Sequence, residues 1–594
     1  MQLSARNSET ARRNRRLPAV ALVAALALPL AACQHEEAGG LFITQPTQPA
    51  GQPVRAKRHI IAASHPLAAE AGRDVLRRGG GAIDAAIAAA MVTGLVEPQA
   101  SGIGGGGFLL HYAAKSGAID AYDGRETAPK SAHPYMFLDG TGKPSDGEEA
   151  GEGGLPVGVP GLLSMLEMAH KEHGRLAWRQ LFEPAIKLAR DGFPISARLA
   201  RQIAGARDLA GHAAANAYFY ETDGTPKPAG AVLRNPDFAD TLAQVAENGA
   251  DAFYKGPIAD AVARAVSTAA KNPVPMTAAD IAAYAPKKRP PVCLPYRAWL
   301  ICGMGPPSSG GIATLQILGM LQGFDLAKLG AESAAALHLI GEASNLAFAD
   351  RNVYVADPDF VPVPAAGLLD PGYLKLRAAL IQPSKAGGRR EPGMPGAGAL
   401  LWPAGDADGA GTSTAQVSVI DAQGNAVALT ASINRPFGSR LMVRGFLLND
   451  ELTDFSFRPN NNGAPVANRA GPGKRPRSSM APTIVFDNRG RAVMALGSPG
   501  GARIIGYVVK TLIAALDWKL DLQAAVDYPN VLGRGRGIEI EDNPRLLKLK
   551  PALEKMGHSV QVFDGASGVN AVGAVKDGLE GAADRRREGA ALGD

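Results

Sequence analysis

At 594 residues and 46% hydrophobic content, the chain can bury a large core, and its 71 glycines and 44 prolines fall between apolar segments rather than in a low-complexity tract. Its 62 Lys and Arg against 56 Asp and Glu leave a net charge of +6. Apart from one cluster at the start these charges are spread out, with no basic stripe interleaved with aromatics and no fixed-period repeat, which excludes an obvious nucleic-acid binder or solenoid.

The chain opens with Arg12, Arg13, Arg15 and Arg16, then an apolar run from Leu17 to Ala32, then Cys33. A cationic head, an apolar run and small residues before a cut make an export signal. The run is too short for a comfortable membrane span. Leu30-Ala31-Ala32-Cys33 resembles the bacterial lipobox, in which the Cys is lipidated and becomes the mature N-terminus. Residues 1–33 are therefore expected to be a lipoprotein signal ending in lipidated Cys33, with a plain secretory signal as the alternative. Residues 34–58 form a polar, flexible tether, and Gln34 fits outer-membrane sorting. The expected location is periplasmic, with the membrane touched only through the lipid.

After the tether, Pro66 to Val96 has helical character, with Ala85, Ala86, Ala88, Ala89 and Ala90 permitting close packing. Glycines 102 and 104–107 lead into a strand at Phe108–Tyr112. A helical section follows, from about Gly161 to Ala282. Cys293 and Cys302 flank a stretch that reads as two short strands around a turn. In an oxidising compartment such a pair can close a cross-strand disulfide, two buried thiols being the alternative. Lys385 to Ala404 is Gly/Pro-rich and pliable. Strand alternation then begins at Ala415–Ile420, turns at Asp421–Asn425 and resumes at Ala426–Thr430, a hairpin signal. Further strands are predicted at Thr483–Phe486 and Ala492–Leu496, and a helix near Ile505–Trp518. The pattern predicts an α/β layered architecture.

Several familiar chemistries lack support. Gly102, Gly104 and Gly107 satisfy G-x-G-x-x-G, but a dinucleotide fingerprint follows a strand and opens a helix, and here the order is reversed. The ten histidines show no His-x-x-x-His or Cys/His ligand spacing. No G-x-S-x-G elbow occurs. No cofactor and no metal is expected.

Gly411-Thr412-Ser413-Thr414 lies where the pliable stretch meets the first strand of the C-terminal part. A Thr hydroxyl is a weak nucleophile unless a base sits beside it. When Thr is the first residue of a chain, its own α-amine can be that base. That amine has a reference pKa of roughly 7.7–8.0, near working pH. From spacing alone, a hydroxyl-rich loop entering a strand is the simpler reading.

The surrounding motifs favour the nucleophile instead. Glu97 to Gly107, Asp123-Gly124-Arg125-Glu126-Thr127-Ala128-Pro129 and Pro306-Pro307-Ser308-Ser309-Gly310-Gly311 resemble the large subunit of γ-glutamyltransferases. Lys474-Arg475-Pro476-Arg477-Ser478-Ser479-Met480 and Gly497-Ser498-Pro499-Gly500-Gly501-Ala502-Arg503 resemble their small subunit. The resemblance runs from about His59 to the closing stretch Ala583 to Gly589.

The resemblance implies a four-layer αββα sandwich of the N-terminal-nucleophile hydrolase type. It implies a precursor that cuts itself between Ser413 and Thr414 into a large subunit, 59–413 behind the tether, and a small catalytic subunit, 414–594. Thr414 matches the nucleophile, and Ser432 a hydroxyl that supports it. Arg125 matches the arginine that pairs with the substrate α-carboxylate, a task for a planar bidentate donor. Ser478 and Ser479 match hydroxyls that help hold that carboxylate. Asn434, Glu451 and Asp454 match the groups that bind the substrate ammonium, and Gly500 and Gly501 match the oxyanion hole. The implied partners are a small-molecule γ-glutamyl donor such as glutathione, and water, an amino acid or a peptide as acceptor.

Two features depart from the pattern. Ala415-Gln416 stands where the family often has Thr-His, beside the nucleophile, where it is expected to influence rate or acceptor preference. Phe457 to Gly473 is short and lacks a tyrosine where well-known members carry a lid loop, which leaves room for bulky donors. Two other readings remain open: an acylase of the same fold that removes glutaryl-like groups, and a non-catalytic lipoprotein that binds γ-glutamyl peptides.

Overall fold

The computed structural model describes residues 51–396, 399–405, 413–565 and 567–594. The export signal, Cys33 and most of the tether lie outside these residues. Among the described residues no helix is long and apolar enough to cross a membrane.

Fourteen strands form the centre of the molecule. In chain order they are β1 (Val54–Ala56), β2 (Ile60–Ala63), β3 (Gly106–Ala113), β4 (Ala118–Gly124), β5 (Lys287–Arg289), β6 (Val292–Tyr296) and β7 (Trp299–Gly303). They continue with β8 (Ser413–Ile420), β9 (Ala426–Asn434), β10 (Thr483–Phe486), β11 (Ala492–Gly497), β12 (Asn570–Val575), β13 (Gly578–Ala583) and β14 (Ala590–Gly593). One seven-stranded sheet has the order β14-β2-β8-β9-β3-β4-β5, and the other β1-β13-β12-β11-β10-β7-β6. Neighbours are antiparallel throughout both sheets.

Side-chain alternation explains the layering, because successive residues of a strand face opposite sides of its sheet. In the first sheet Ile61, Ala63, Leu109, Val417, Val419, Val427 and Leu429 join one core with the helices outside. Their neighbours Ile60, Ala62, Phe108, Leu110, Ala426 and Ala428 join a second core shared with the other sheet. The outer helices of the first sheet include α1 (Pro66–Arg77) and α2 (Ala82–Val96). Every α2 residue except Gly94 is buried, so its alanine run packs on all sides. Behind the second sheet lie α3 (Gly310–Leu321), α4 (Ala334–Tyr354) and α5 (Ile504–Leu516). The architecture is thus the αββα sandwich, with several short helices between Leu162 and Ala282 extending the outer core of the first sheet.

The hairpin of β6 and β7 places Cys293 opposite Cys302, and the two sulfurs are bonded at 2.07 Å. The glycine string before β3 lies flush on β9. A side chain at Gly105 would put its Cβ 2.0 Å from the Ser432 carbonyl oxygen. The string is a close backbone approach beside the catalytic strand, which gives its glycines a packing reason unrelated to phosphates.

Candidate active site

Strand β8 begins at Ser413. Ser413 pairs with Asn434 and Thr414 with Ser432, so the register slips by one residue between them. Such a bulge re-aims a side chain at the end of a ladder. Here it brings the Thr414 hydroxyl to 3.2 Å from Ser432 Oγ. Ser432 Oγ in turn lies 2.9 Å from the Ser413 carbonyl oxygen and accepts from the Asn434 N–H at 2.8 Å.

The direction of this chain follows from counting protons. A hydroxyl has one proton, and a carbonyl oxygen can only accept. Ser432 therefore donates to the Ser413 carbonyl, and Thr414 O–H donates to Ser432. The Thr414 hydroxyl and the Ser413 carbonyl are joined through one side chain. Behind them, Arg587 donates to the Thr414 carbonyl at 3.3 Å. Burial and nearby Arg198 push the Arg587 guanidinium down to about 10. Arg198 itself donates to Glu97 at 2.6 Å, and its backbone N–H to Glu588 at 2.8 Å. The last motif of the chain thus packs against the first residue of the small-subunit half.

Thr414 and Ser432 open on a small polar cavity of about 30 Å³, close-set enough for its groups to converge on one small charged ligand. Its wall includes Arg125, Asn434, Glu451, Asp454, Ser478, Ser479 and Gly501. Gly500 is adjacent and adopts φ 136°, and Gly501 φ 58°, both in the region that favours glycine. A Cβ on Gly500 would sit 2.5 Å from the Tyr507 ring. The pair leads through a short 3₁₀ turn, Gly501–Arg503, into α5, so bare backbone N–H groups stand at the cavity.

Arg125 follows β4 and is buried. Its guanidinium donates to Glu451 and Asp454, and to the carbonyls of Pro476 and Arg477 at 3.1 Å each. Its own carbonyl is held by Arg475 at 2.6 Å and the Tyr284 hydroxyl at 2.9 Å. Glu451 and Asp454 share the short turn Glu451–Asp454. Burial pushes the Glu451 carboxyl up to about 7 against the opposing pull of Arg125, and its Oε1 is buried without a partner. Glu126, fully buried 3.6 Å from Arg125, is held well above the usual carboxyl range by burial and then by Glu451. Arg125 therefore faces three carboxyl groups, those of Glu451, Asp454 and Glu126.

The opposite wall joins two motifs far apart in sequence. Ser308 bridges Ser478, and Ser309 donates from its N–H and hydroxyl to the Ser478 carbonyl at 2.8 and 2.6 Å. Ser478 Oγ accepts from the Met480 N–H, and Ser479 Oγ accepts from Arg351 at 2.7 Å. Both serines accept there and keep a proton to donate to a carboxylate. Asn434 uses its amide nitrogen on the Asp450 carbonyl and the Thr453 hydroxyl, so its oxygen is what it offers the cavity. The cavity presents guanidinium groups and hydroxyls together with carboxylates and an amide oxygen, with Arg125 paired directly to Glu451 and Asp454. That combination matches a zwitterionic amino-acid head.

All the residues expected here come together. Glu126, Arg351, Arg477 and Arg587 join them, although the sequence motifs assign them no role. Arg351 gave no signal because it lies within the long helix α4, among residues of core character. Arg587 lies in the closing stretch of the family resemblance, where nothing local marks it as a neighbour of Thr414. Ala415 and Gln416, although next to Thr414 in the chain, do not line the cavity. Ala415 turns to the opposite face of β8. Gln416 lies one step deeper between the sheets, pinned by the Thr430 hydroxyl at 2.6 Å and to Ser418 at 3.0 Å. The short segment after Phe457 forms only the strand pair Asn460–Asn461 and Ala464–Pro465, and Phe457 stacks on Phe137.

Two facing sheets, outer helices and a Thr at the head of a central strand define an N-terminal-nucleophile hydrolase. The gamma-glutamyltranspeptidase family model matches residues 68–594, and the chain belongs to that family. It is 37% identical over 551 residues to the glutathione hydrolase proenzyme of Escherichia coli (strain K12), covering 90% of this chain and 91% of that protein. Among solved structures it resembles cephalosporin acylase from Bacillus halodurans, with TM-score 0.79 and 26% identity over 92% of this chain and 98% of that one. It also resembles gamma-glutamyltranspeptidase of Helicobacter pylori, with TM-score 0.52 and 38% identity over 54% of this chain and 91% of that one.

Proposed function

We propose that the chain cuts itself before Thr414 and then transfers or hydrolyses the γ-glutamyl group of glutathione and related amides. The observation that carries this is the Thr414–Ser432–Ser413 hydroxyl relay opening on a cavity lined by guanidinium, hydroxyl and carboxylate groups. In the precursor, Thr414 Oγ1 attacks the Ser413 carbonyl carbon and its proton passes to Ser432. Ser432 hydrogen-bonds the developing oxyanion. The C–N bond breaks as the proton held by Ser432 passes to the Thr414 nitrogen, which frees the amine and leaves an ester; water hydrolyses the ester to the Ser413 carboxylate and the Thr414 hydroxyl. The products are a large subunit ending at Ser413 and a small subunit, 414–594.

In the mature enzyme the Thr414 amine takes the hydroxyl proton as Oγ1 attacks the γ-carbonyl of the donor. Gly500 and Gly501 N–H groups stabilise the oxyanion, and the leaving amine collects the proton. Arg125, Ser478 and Ser479 hold the α-carboxylate, while Asn434, Glu451 and Asp454 hold the ammonium. Water or an acceptor amine then attacks the acyl-enzyme ester and restores Thr414. A product assay with glutathione, with and without an acceptor dipeptide, tests this: free glutamate alone, then a new γ-glutamyl peptide. Absence of both products from cleaved protein contradicts it.

The likeness to cephalosporin acylase keeps one rival reading, release of glutaryl-like groups. A glutaryl group has no ammonium for Asn434, Glu451 and Asp454, so γ-glutamyl anilide should be the faster substrate by orders of magnitude. The reverse preference would make the chain an acylase. We also propose export and anchoring through lipid on Cys33. The Leu30-Ala31-Ala32-Cys33 motif supports this, as does the Cys293–Cys302 bond, since such bonds persist in oxidising compartments. Replacing Cys33→Ser should move the enzyme from the membrane fraction to the soluble one.

A further inference from the structure

Away from the cleft, three buried side chains of metal-ligand type converge. His338 and Glu342 lie one turn apart on the same face of α4. His558 arrives 220 residues after His338, just beyond the helix Lys550–Lys555. All three are buried, and their ligand-type atoms lie within 4.8 Å of one another.

Hydrogen bonding fixes how the rings are presented. His338 Nε2 lies 2.7 Å from the Gln382 carbonyl oxygen, which only accepts, so the proton of neutral His338 is on Nε2. Its Nδ1 lone pair then points at His558 Nε2, 2.6 Å away. A ring whose far N–H is anchored on a carbonyl is the usual support of a metal-bound histidine. Glu342 uses Oε2 on Arg390 and on the Gly387 N–H, at 3.1 Å for the latter. Its Oε1 is buried without a hydrogen-bond partner and stands 3.8 Å from His558 Nδ1. An unpartnered buried carboxylate oxygen is costly unless something positive meets it.

We propose that His338, Glu342 and His558 bind one divalent transition-metal ion in a structural site separate from the cleft. Two imidazoles and a carboxylate suit Zn²⁺ best, leaving a fourth position for water. Zinc–nitrogen bonds of about 2.0–2.1 Å at a tetrahedral angle put ligand nitrogens roughly 3.4 Å apart, so the two rings need to part by less than about 1 Å. The ion takes the place of the proton between them, and His558 carries its proton on Nδ1 instead. Arg390, from the stretch after Lys385, pairs with Glu342 at the edge of the site. The helix that bears His338 also bears Arg351, about 20 Å further along, whose guanidinium holds Ser479 in the cleft. If the chain is cut before Thr414 as proposed, the ion ties the large subunit, through His338 and Glu342, to the small subunit, through His558. The His-x-x-x-Glu spacing with a third ligand so distant escapes any search for paired His or Cys motifs.

The test uses the full chain without a polyhistidine tag, stripped with chelator and dialysed against Zn²⁺, with bound metal measured per chain. One equivalent retained through gel filtration is expected, with at least tenfold weaker binding in His338→Gln, His558→Gln and Glu342→Gln. Self-cleavage and glutathione turnover, followed separately, should persist in these variants, which keeps this claim distinct from the functional one. Co²⁺ loading of the native chain should give an intense tetrahedral absorption spectrum, a readout that needs no variant to fold. No saturable equivalent in the native chain, an octahedral Co²⁺ spectrum, or unchanged binding in the variants would overturn the site.

Discussion

Ser432 Oγ donates to the carbonyl oxygen of Ser413 at 2.9 Å while standing 3.2 Å from the hydroxyl of Thr414. One side chain thus touches both the attacking oxygen and the carbonyl it attacks. Removing it takes away one preorganised donor, an effect of about 10²–10³ in rate. Ser432→Ala should slow self-cleavage by about that factor, and Ser432→Thr, which keeps the oxygen, should restore most of it. The intensities of uncut and cut bands over time read this out, and an unchanged rate in Ser432→Ala would remove Ser432 from the mechanism.

Arg125 is the counter-charge of Glu451 and Asp454, and in the proposed reaction it also holds the substrate carboxylate. Arg125→Lys keeps the charge but loses the planar fork, so KM for a γ-glutamyl donor should rise at least tenfold with a smaller change in kcat. Arg125→Ala leaves two carboxylates without their partner in a buried place, a loss of about 3–5 kcal/mol. A denaturant midpoint well below that of Arg125→Lys checks the second effect.

The Glu451 carboxyl, raised to about 7, is ionised above that pH and neutral below it. Only the ionised form attracts the donor's ammonium, so kcat/KM should fall as pH drops through about 7. Its effect on folding has the opposite sign. A carboxyl raised above its unfolded value favours the fold at low pH, and that contribution is lost as pH rises through about 7. Glu451→Gln should remove this limb of the pH profile and leave any limb due to the Thr414 amine. A profile of Glu451→Gln with the same acid limb would assign it to another group.

Gly500 is placed at φ 136° with the Tyr507 ring 2.5 Å from where a Cβ would be. Gly500→Ala should lose about 1–3 kcal/mol of stability from backbone strain alone. It should also lower kcat, because the N–H groups at the cavity shift with the loop. A thermal melt and a turnover assay on the same sample separate the two.

Much of the fold was legible where local pattern and tertiary role agree. The hairpin of β8 and β9, the Cys293–Cys302 hairpin and the helices after Pro66 follow from alternation, turn residues and helix periodicity. Which strands become neighbours was not legible, since β2 and β14 pair across almost the whole chain. In the site, Arg125 and the Ser478-Ser479 pair stood out through motifs. Arg351 did not, because a charged residue inside a buried helix gives no local sign that it reaches a cavity. The placement of Gln416 was not legible either: on Thr414's side of β8, one step along the strand already lies between the sheets.

In the proposed mechanism Thr414 acts twice, as scissile-bond nucleophile first and as substrate nucleophile afterwards. Electrophoresis with intact-mass measurement of purified native and Thr414→Ala proteins tests both roles most directly. The native chain should give two fragments, the smaller beginning at Thr414, and Thr414→Ala a single uncut, inactive chain. A native protein that turns over γ-glutamyl substrates while remaining one chain, or a Thr414→Ala chain that still cuts at this bond, would contradict this double role.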